Sequence, residues 1–120
     1  MPKKIPYLAE LATTTNAAGV AQLLTNRLRR GQTLYIQTIS VRSPTTAGAI
    51  AHIGVLRGNN LYRVDSITMA AALFAYPSYA FVVVESDAQL QIDFTGGGNA
   101  QPIEAWVYGY LDDGERYPAV

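Results

Sequence analysis

Cysteine is absent from this 120-residue sequence. No disulfide, thiolate nucleophile or cysteine-ligated metal is therefore available, which fits folding in a reducing cytoplasm. Histidine is nearly absent: His52 stands alone. A β-sandwich metal site of the multi-histidine kind needs several imidazoles converging with a carboxylate, and one ring cannot supply it. A Ser-His-Asp triad would have to use His52. None of Ser40, Ser43, Ser66, Ser78 or Ser86 sits in a nucleophile-elbow sequence. His52, inside AIAHIGV, reads instead as a partly buried ring with locally satisfied nitrogens. Charge is scarce as well: 15% of residues are charged and 49% are apolar, with a net charge of zero. No apolar run approaches the roughly 20 residues that span a bilayer. The N-terminal MPKKIPYLAEL has two lysines but is interrupted by Pro6 and Glu10, so it does not read as a secretory signal.

What is present is strand pattern. A chain of this length forms one domain. From Phe81 to Leu111 the sequence reads as three strands, cut by a Ser86-Asp87 turn and the loop Gly96-Gly97-Gly98-Asn99. In the middle strand Leu90, Ile92 and Phe94 alternate with Gln89, Gln91, Asp93 and Thr95. Such a period of two implies a sheet with one face in a core and one in water. Upstream, Thr33–Arg42 is a β-rich run ended by Ser43-Pro44. The runs 48–56 and 61–64 form a hairpin across Arg57-Gly58-Asn59-Asn60, whose residues tolerate positive φ.

Two segments stay open. Residues 17–30 read either as a strand from Val20 to Leu24 or as a helix with Asn16 as N-cap, the strand being favoured. Residues 65–76 read as a helical turn or a loop before Pro77. Residues 1–19 show no sustained period and are expected to be an N-terminal arm, followed by a sandwich over 20–112 and a polar tail over 113–120, with the glycine loop as a mobile tip. Some eight closely spaced strands with turn signals between them predict an all-β, jelly-roll-like antiparallel β-sandwich.

The candidates for chemistry are few. Asp112-Asp113, and Glu85 with Asp87, are paired carboxylates, but turns and tails make them solvated acids rather than a glycosidase pair. The glycine loop lacks the Lys and Ser/Thr of a phosphate loop and opens no helix. Charge is split along the chain: residues 1–63 carry eight basic residues and one acid, and residues 64–120 carry eight acids and one arginine. Pairing between strands and head-to-tail self-association both account for this split. Arg27, Arg29 and Arg30 form the densest basic cluster. With no aromatic interleaved, it suits salt bridges to an acidic neighbour protein better than nucleic acid. Tyr7, Leu8 and Leu11 make the N-terminal segment too apolar for a solvated tail, and are expected to reach a partner. Trp106, Tyr108 and Tyr110, with Glu104, share one side of the last strand, opposite Ile103, Ala105, Val107 and Leu111. That aromatic stripe is a subunit interface, a core row with the faces reversed, or a sugar platform.

Residues 20–112 resemble, in layout, the small jelly-roll structural proteins of tailed bacteriophage virions. The similarity lies in GQTLYIQTISVRSPTTA followed by IAHIGVLRGNNLYRV, then LQIDFTGGG and a closing WVYGYLDD. Within that class the head decoration (cement) proteins fit best. The resemblance implies a non-enzymatic protein without cofactor, folded in a host cytoplasm, that sits as a homo-oligomer, typically a trimer, on a capsid surface. Its partners would be copies of itself and the major capsid protein or another virion protein, with neither nucleic acid nor membrane as main partner. A carbohydrate-binding or receptor-binding module of a tail or fibre tip is the alternative.

Overall fold

The computed structural model describes residues 4–43, 49–69, 75–78 and 81–113. Nine strands run through them in the order β1 (Lys4–Thr14), β2 (Ala21–Leu24), β3 (Thr33–Arg42), β4 (Ile50–Arg57), β5 (Asn60–Thr68), β6 (Ala75–Ser78), β7 (Val82–Val84), β8 (Ala88–Thr95) and β9 (Pro102–Asp112). No helix occurs among the described residues. One sheet has the order β1-β9-β3-β6, with β7 also on β3; the second has the order β2-β8-β4-β5. We call them sheets A and B. All pairings are antiparallel.

The order has a simple logic. β4 and β5 are the closed tip of a long ribbon. Along it β3 lies beside β6 and β7, β2 beside β8, and β1 beside β9. The ribbon folds over once, so that β9 also meets β3 and β8 also meets β4. That wrapping of a double-stranded ribbon into two facing sheets is the jelly roll.

Side-chain alternation drives it. Leu34, Ile36, Ile39 and Val41 of β3, Val82 and Val84 of β7, and Ile103, Ala105 and Val107 of β9 are buried on sheet A. Ala21, Leu23, Ala51, Ile53, Leu90, Ile92 and Phe94 meet them from sheet B. A two-sheet core of this kind is built from the inward half of each strand. Parity slips at two bulges. One lies in β3 between Ile36 and Thr38; the other lies where Ile53 and Gly54 face Asp65 and Arg63, leaving Val64 as the extra residue. The Ser86-Asp87 turn is made with Asp87 at a φ of 64°, a region aspartate tolerates.

The structure corrects the N-terminal expectation. Lys4–Thr14 is not an irregular arm but the edge strand of sheet A, in register with the whole of β9. Tyr7, Ala9 and Leu11 alternate inward and pack against the core. Alanine in the inward row and leucine on the wet side blur the period that would have revealed it. Residues 17–30 are not helical: β2 is a strand, and the chain continues alongside β8, with Thr25 N–H on the Leu90 carbonyl and Leu28 N–H on the Ala88 carbonyl. The glycine loop is not a free tip either. Gly97 N–H donates to the Gly19 carbonyl at 3.0 Å, and the Thr15 hydroxyl donates to the Gly98 carbonyl while accepting Gln101 N–H at 2.8 Å. A Cβ on Gly19 would lie 1.9 Å from the Gly97 oxygen, so the clasp requires glycine there. The first of the three strands expected from Phe81 onward is short, Val82–Val84, and β5 runs beyond Val64 to Thr68. The helical turn considered near 69–75 and the tail beyond Asp113 lie mostly outside the described residues.

Candidate interaction face

The outer face of sheet A is where unusual side chains gather. β9 lies between β1 and β3, so its outward row has neighbours on both sides. Tyr110 stands opposite Pro6 and Tyr35; Tyr108 opposite Leu8 and Thr38; Trp106 opposite Glu10 and Ser40; Glu104 opposite Ala12 and Arg42. Beyond β3, Val83 continues the Tyr35 row and Pro77 the Ser40 row. Leu8 is 65% exposed, Phe81 61% and Tyr108 46%. Isolated exposed apolar residues are ordinary, whereas a contiguous patch of them marks a contact surface.

The rings are ordered. The Tyr35 and Tyr110 centroids are 4.9 Å apart with planes 19° from parallel, and Phe81 lies 6.1 Å from Tyr35 at 28°. Rings 4.9 Å apart are too close to lie side by side in one plane, so their faces overlap. Lys4 Nζ stands 5.3 Å from the Tyr110 centroid, within reach of a cation–π attraction. Ring faces covered in this way are closed to a stacking sugar. Gly109 makes the arrangement possible. A Cβ there would sit 1.9 Å from the Tyr35 carbonyl oxygen, so glycine allows β3 and β9 to close beside the ring pair.

Trp106, Tyr108 and Tyr110 thus share the outer face, and the alternative in which they fill the core does not hold. Of the three N-terminal residues expected to reach outward, only Leu8 does. Tyr7 and Leu11 are spent on the chain's own core, and burial raises the Tyr7 phenol above its ordinary value. Arg27, Arg29 and Arg30 are exposed in the β2–β3 loop, with no ion pair to any described residue. Sequence reasoning missed Tyr35, Phe81 and Val83. Tyr35 alternating with Leu34 and Ile36 was the available signal, but nothing local says that β7 will land beside β3.

The outer face of sheet B is different. Asp93 accepts Gln91 Nε2 at 2.9 and 3.0 Å, takes Gln22 Nε2 at 3.4 Å and lies 4.0 Å from Arg63. Gln91, expected on a wet face, is 7% exposed beneath this network. His52 sits half-buried on the same face, opposite Asp93 and Ser66. Arg57 and Glu85 bridge the two sheets at 2.9 Å beside a cleft of about 200 Å³ lined also by Val55, Tyr62, Val83 and Ala88. Part of the charge split is therefore satisfied within the molecule, first half to second. The cleft is below the roughly 300–1,000 Å³ of drug-sized ligand sites.

No protein-family profile and no curated protein sequence matches the chain. Solved structures do. A chain in the structure of infectious bursal disease virus, Gx strain, aligns over 98% of this chain at 15% identity and a TM-score of 0.52. This chain spans 33% of that one. A chain of the T13 particle of the same virus aligns over 94% of this chain and 32% of its own at 12% identity, with a TM-score of 0.46. The N-terminal cellulose-binding domain of the Cellulomonas fimi β-1,4-glucanase C aligns over 92% and 88% at 13% identity, with a TM-score of 0.44. At such identities the first likeness speaks to the two-sheet fold alone, and the other two are too distant to weigh.

Proposed function

We propose that this protein is a non-enzymatic structural component of a virion, a decoration (cement) protein that associates with itself and braces a capsid surface. The observation that carries the reading is the contiguous aromatic and apolar outer face of sheet A, centred on Leu8, Trp106, Tyr108, Tyr110, Tyr35 and Phe81. Tyrosine and tryptophan on an open sheet gain most from contact with another protein surface. The jelly-roll topology, and its likeness to a chain of a virus, are in keeping with this role. The non-enzymatic part rests on composition, one histidine and no cysteine. A protein that binds only the assembled shell stabilises it by mass action, at about 2.7 kcal/mol for each site when free protein is a hundredfold above Kd.

Sedimentation velocity over a wide concentration range tests the association. The wild type is expected to self-associate, and Tyr108→Arg to shift it to monomer with the unfolding midpoint unchanged. A wild type that stays monomeric at every concentration overturns the reading. So does specific binding on a glycan array that Trp106→Ala abolishes, which would put a carbohydrate-binding module in its place.

A further inference from the structure

Every described edge of the sandwich is blunted against strand addition. β1 carries Lys4, Pro6 and Glu10, β5 carries the Val64 bulge, and β2, β6 and β7 have four, four and three residues. Proline, charge, bulges and shortness are the devices by which edges avoid pairing. The open surface is a face, and its charges are arranged with a symmetry. The outward columns run β1, β9, β3, then β6 and β7. A two-fold axis parallel to the strands, between β9 and β3, exchanges β9 with β3 and β1 with the β6/β7 column when a second copy is laid face to face. Residues at one level meet residues of the same level in the other column.

The register then fixes the pairs. Glu104 and Arg42 share a level, so each meets the other in the second copy. Tyr110 and Tyr35 share a level, so four rings meet around the axis. Lys4 lies level with Asp112 and Thr33, one step beyond the Leu34–Val84 pair, so it faces the end of β7. Trp106 faces Ser40 and Glu10 faces Pro77. Among the described residues no like charges are opposed. An axis across the strands at the level of Tyr108 would set Glu104 against Asp112, which like-charge repulsion disfavours. We infer that sheet A's outer face is an isologous interface on which a second copy of this chain docks about a two-fold axis between β9 and β3, with reciprocal Glu104–Arg42 pairs flanking a Tyr35–Tyr110 cluster. This rests on the self-association proposed above and names its geometry. Four strands about 4.8 Å apart and nine residues at about 3.3 Å give a footprint of roughly 500 Å² per copy. The total, roughly 1,000 Å², just reaches the size of a specific contact and implies a concentration-dependent dimer.

A charge exchange tests this on the full chain. Glu104→Arg and Arg42→Glu, each alone, are expected to weaken the dimer about tenfold, because like charges then face each other twice. An equimolar mixture of the two variants should regain wild-type association as a heterodimer, since each supplies what the other lacks. Tyr110→Ala, at the axis, should weaken it by about thirtyfold or more. Unfolding midpoints of all variants check that the fold is kept, and the Tyr110 variant serves if a charge variant is not folded. Single variants that dimerise like wild type, or a mixture no better than its parts, overturn the axis. A wild-type trimer also overturns it, since a two-fold face cannot close a ring of three, but leaves the self-association reading standing. A wild type that never associates overturns both.

Discussion

The two outer faces of this sandwich cover one shared core, yet they treat water differently. Sheet B turns out a network of amides and carboxylates, with Leu24 exposed beside it on β2. Asp93 takes hydrogen bonds from Gln91 and Gln22 and lies near Arg63, and the network covers Gln91 almost completely. Sheet A turns out stacked rings and leaves Leu8 and Phe81 mostly in solvent. A polar ladder that satisfies itself has little to gain from a partner. An aromatic face on the same core gains with each ring removed from water.

That contrast is open to attack by substitution. The largest effect is expected at Gly109. A methyl group there collides with the Tyr35 carbonyl, so Gly109→Ala should cost about 3 kcal/mol or more, read by chemical denaturation, and loosen the ring pair with it. If stability holds, β3 and β9 do not need so close an approach, and the ordering of the aromatic face has another cause. Next comes the polar side. Asp93→Ala leaves Gln91 without its partner beneath the surface and should cost about 1–2 kcal/mol, with self-association unchanged. A change in association would mean that sheet B also makes contacts and that the two faces are less distinct than drawn. The smallest effect belongs to the bridge between the sheets. Arg57 and Glu85 form an exposed pair, and Arg57→Ala should alter stability by about 0.5 kcal/mol or less.

How much of this was legible depends on how far apart the deciding residues lie. β8 could be read from Leu90, Ile92 and Phe94 because its core row is purely apolar and its outer row purely polar. β3 emerged with its boundaries, Thr33 and Arg42, because Gly31 and Pro44 punctuate it. β1 was not legible: its strand character depends on pairing with β9, a partner at the far end of the sequence, and its own alternation mixes alanine inside with leucine outside. The clasp at Gly19 and Gly97 was hidden for the same reason, since a glycine run looks the same free or held. For the aromatic face, the stripe on β9 was readable from Trp106, Tyr108 and Tyr110. Its width was not, because Tyr35 and Phe81 join it only through the topology.

The pairing of β1 with β9 also sets an order in time. During synthesis β1 is made before the other eight strands, yet the strand it lies against is completed only after the remaining seven. Until then Tyr7, Ala9 and Leu11 have no sheet to belong to. Contacts so distant along a chain close slowly. A half-made copy therefore shows a long, partly apolar strand to its surroundings, when neighbouring nascent chains carry the same strand. Pro6, with no amide proton to donate, is well placed to keep such copies apart until β9 arrives.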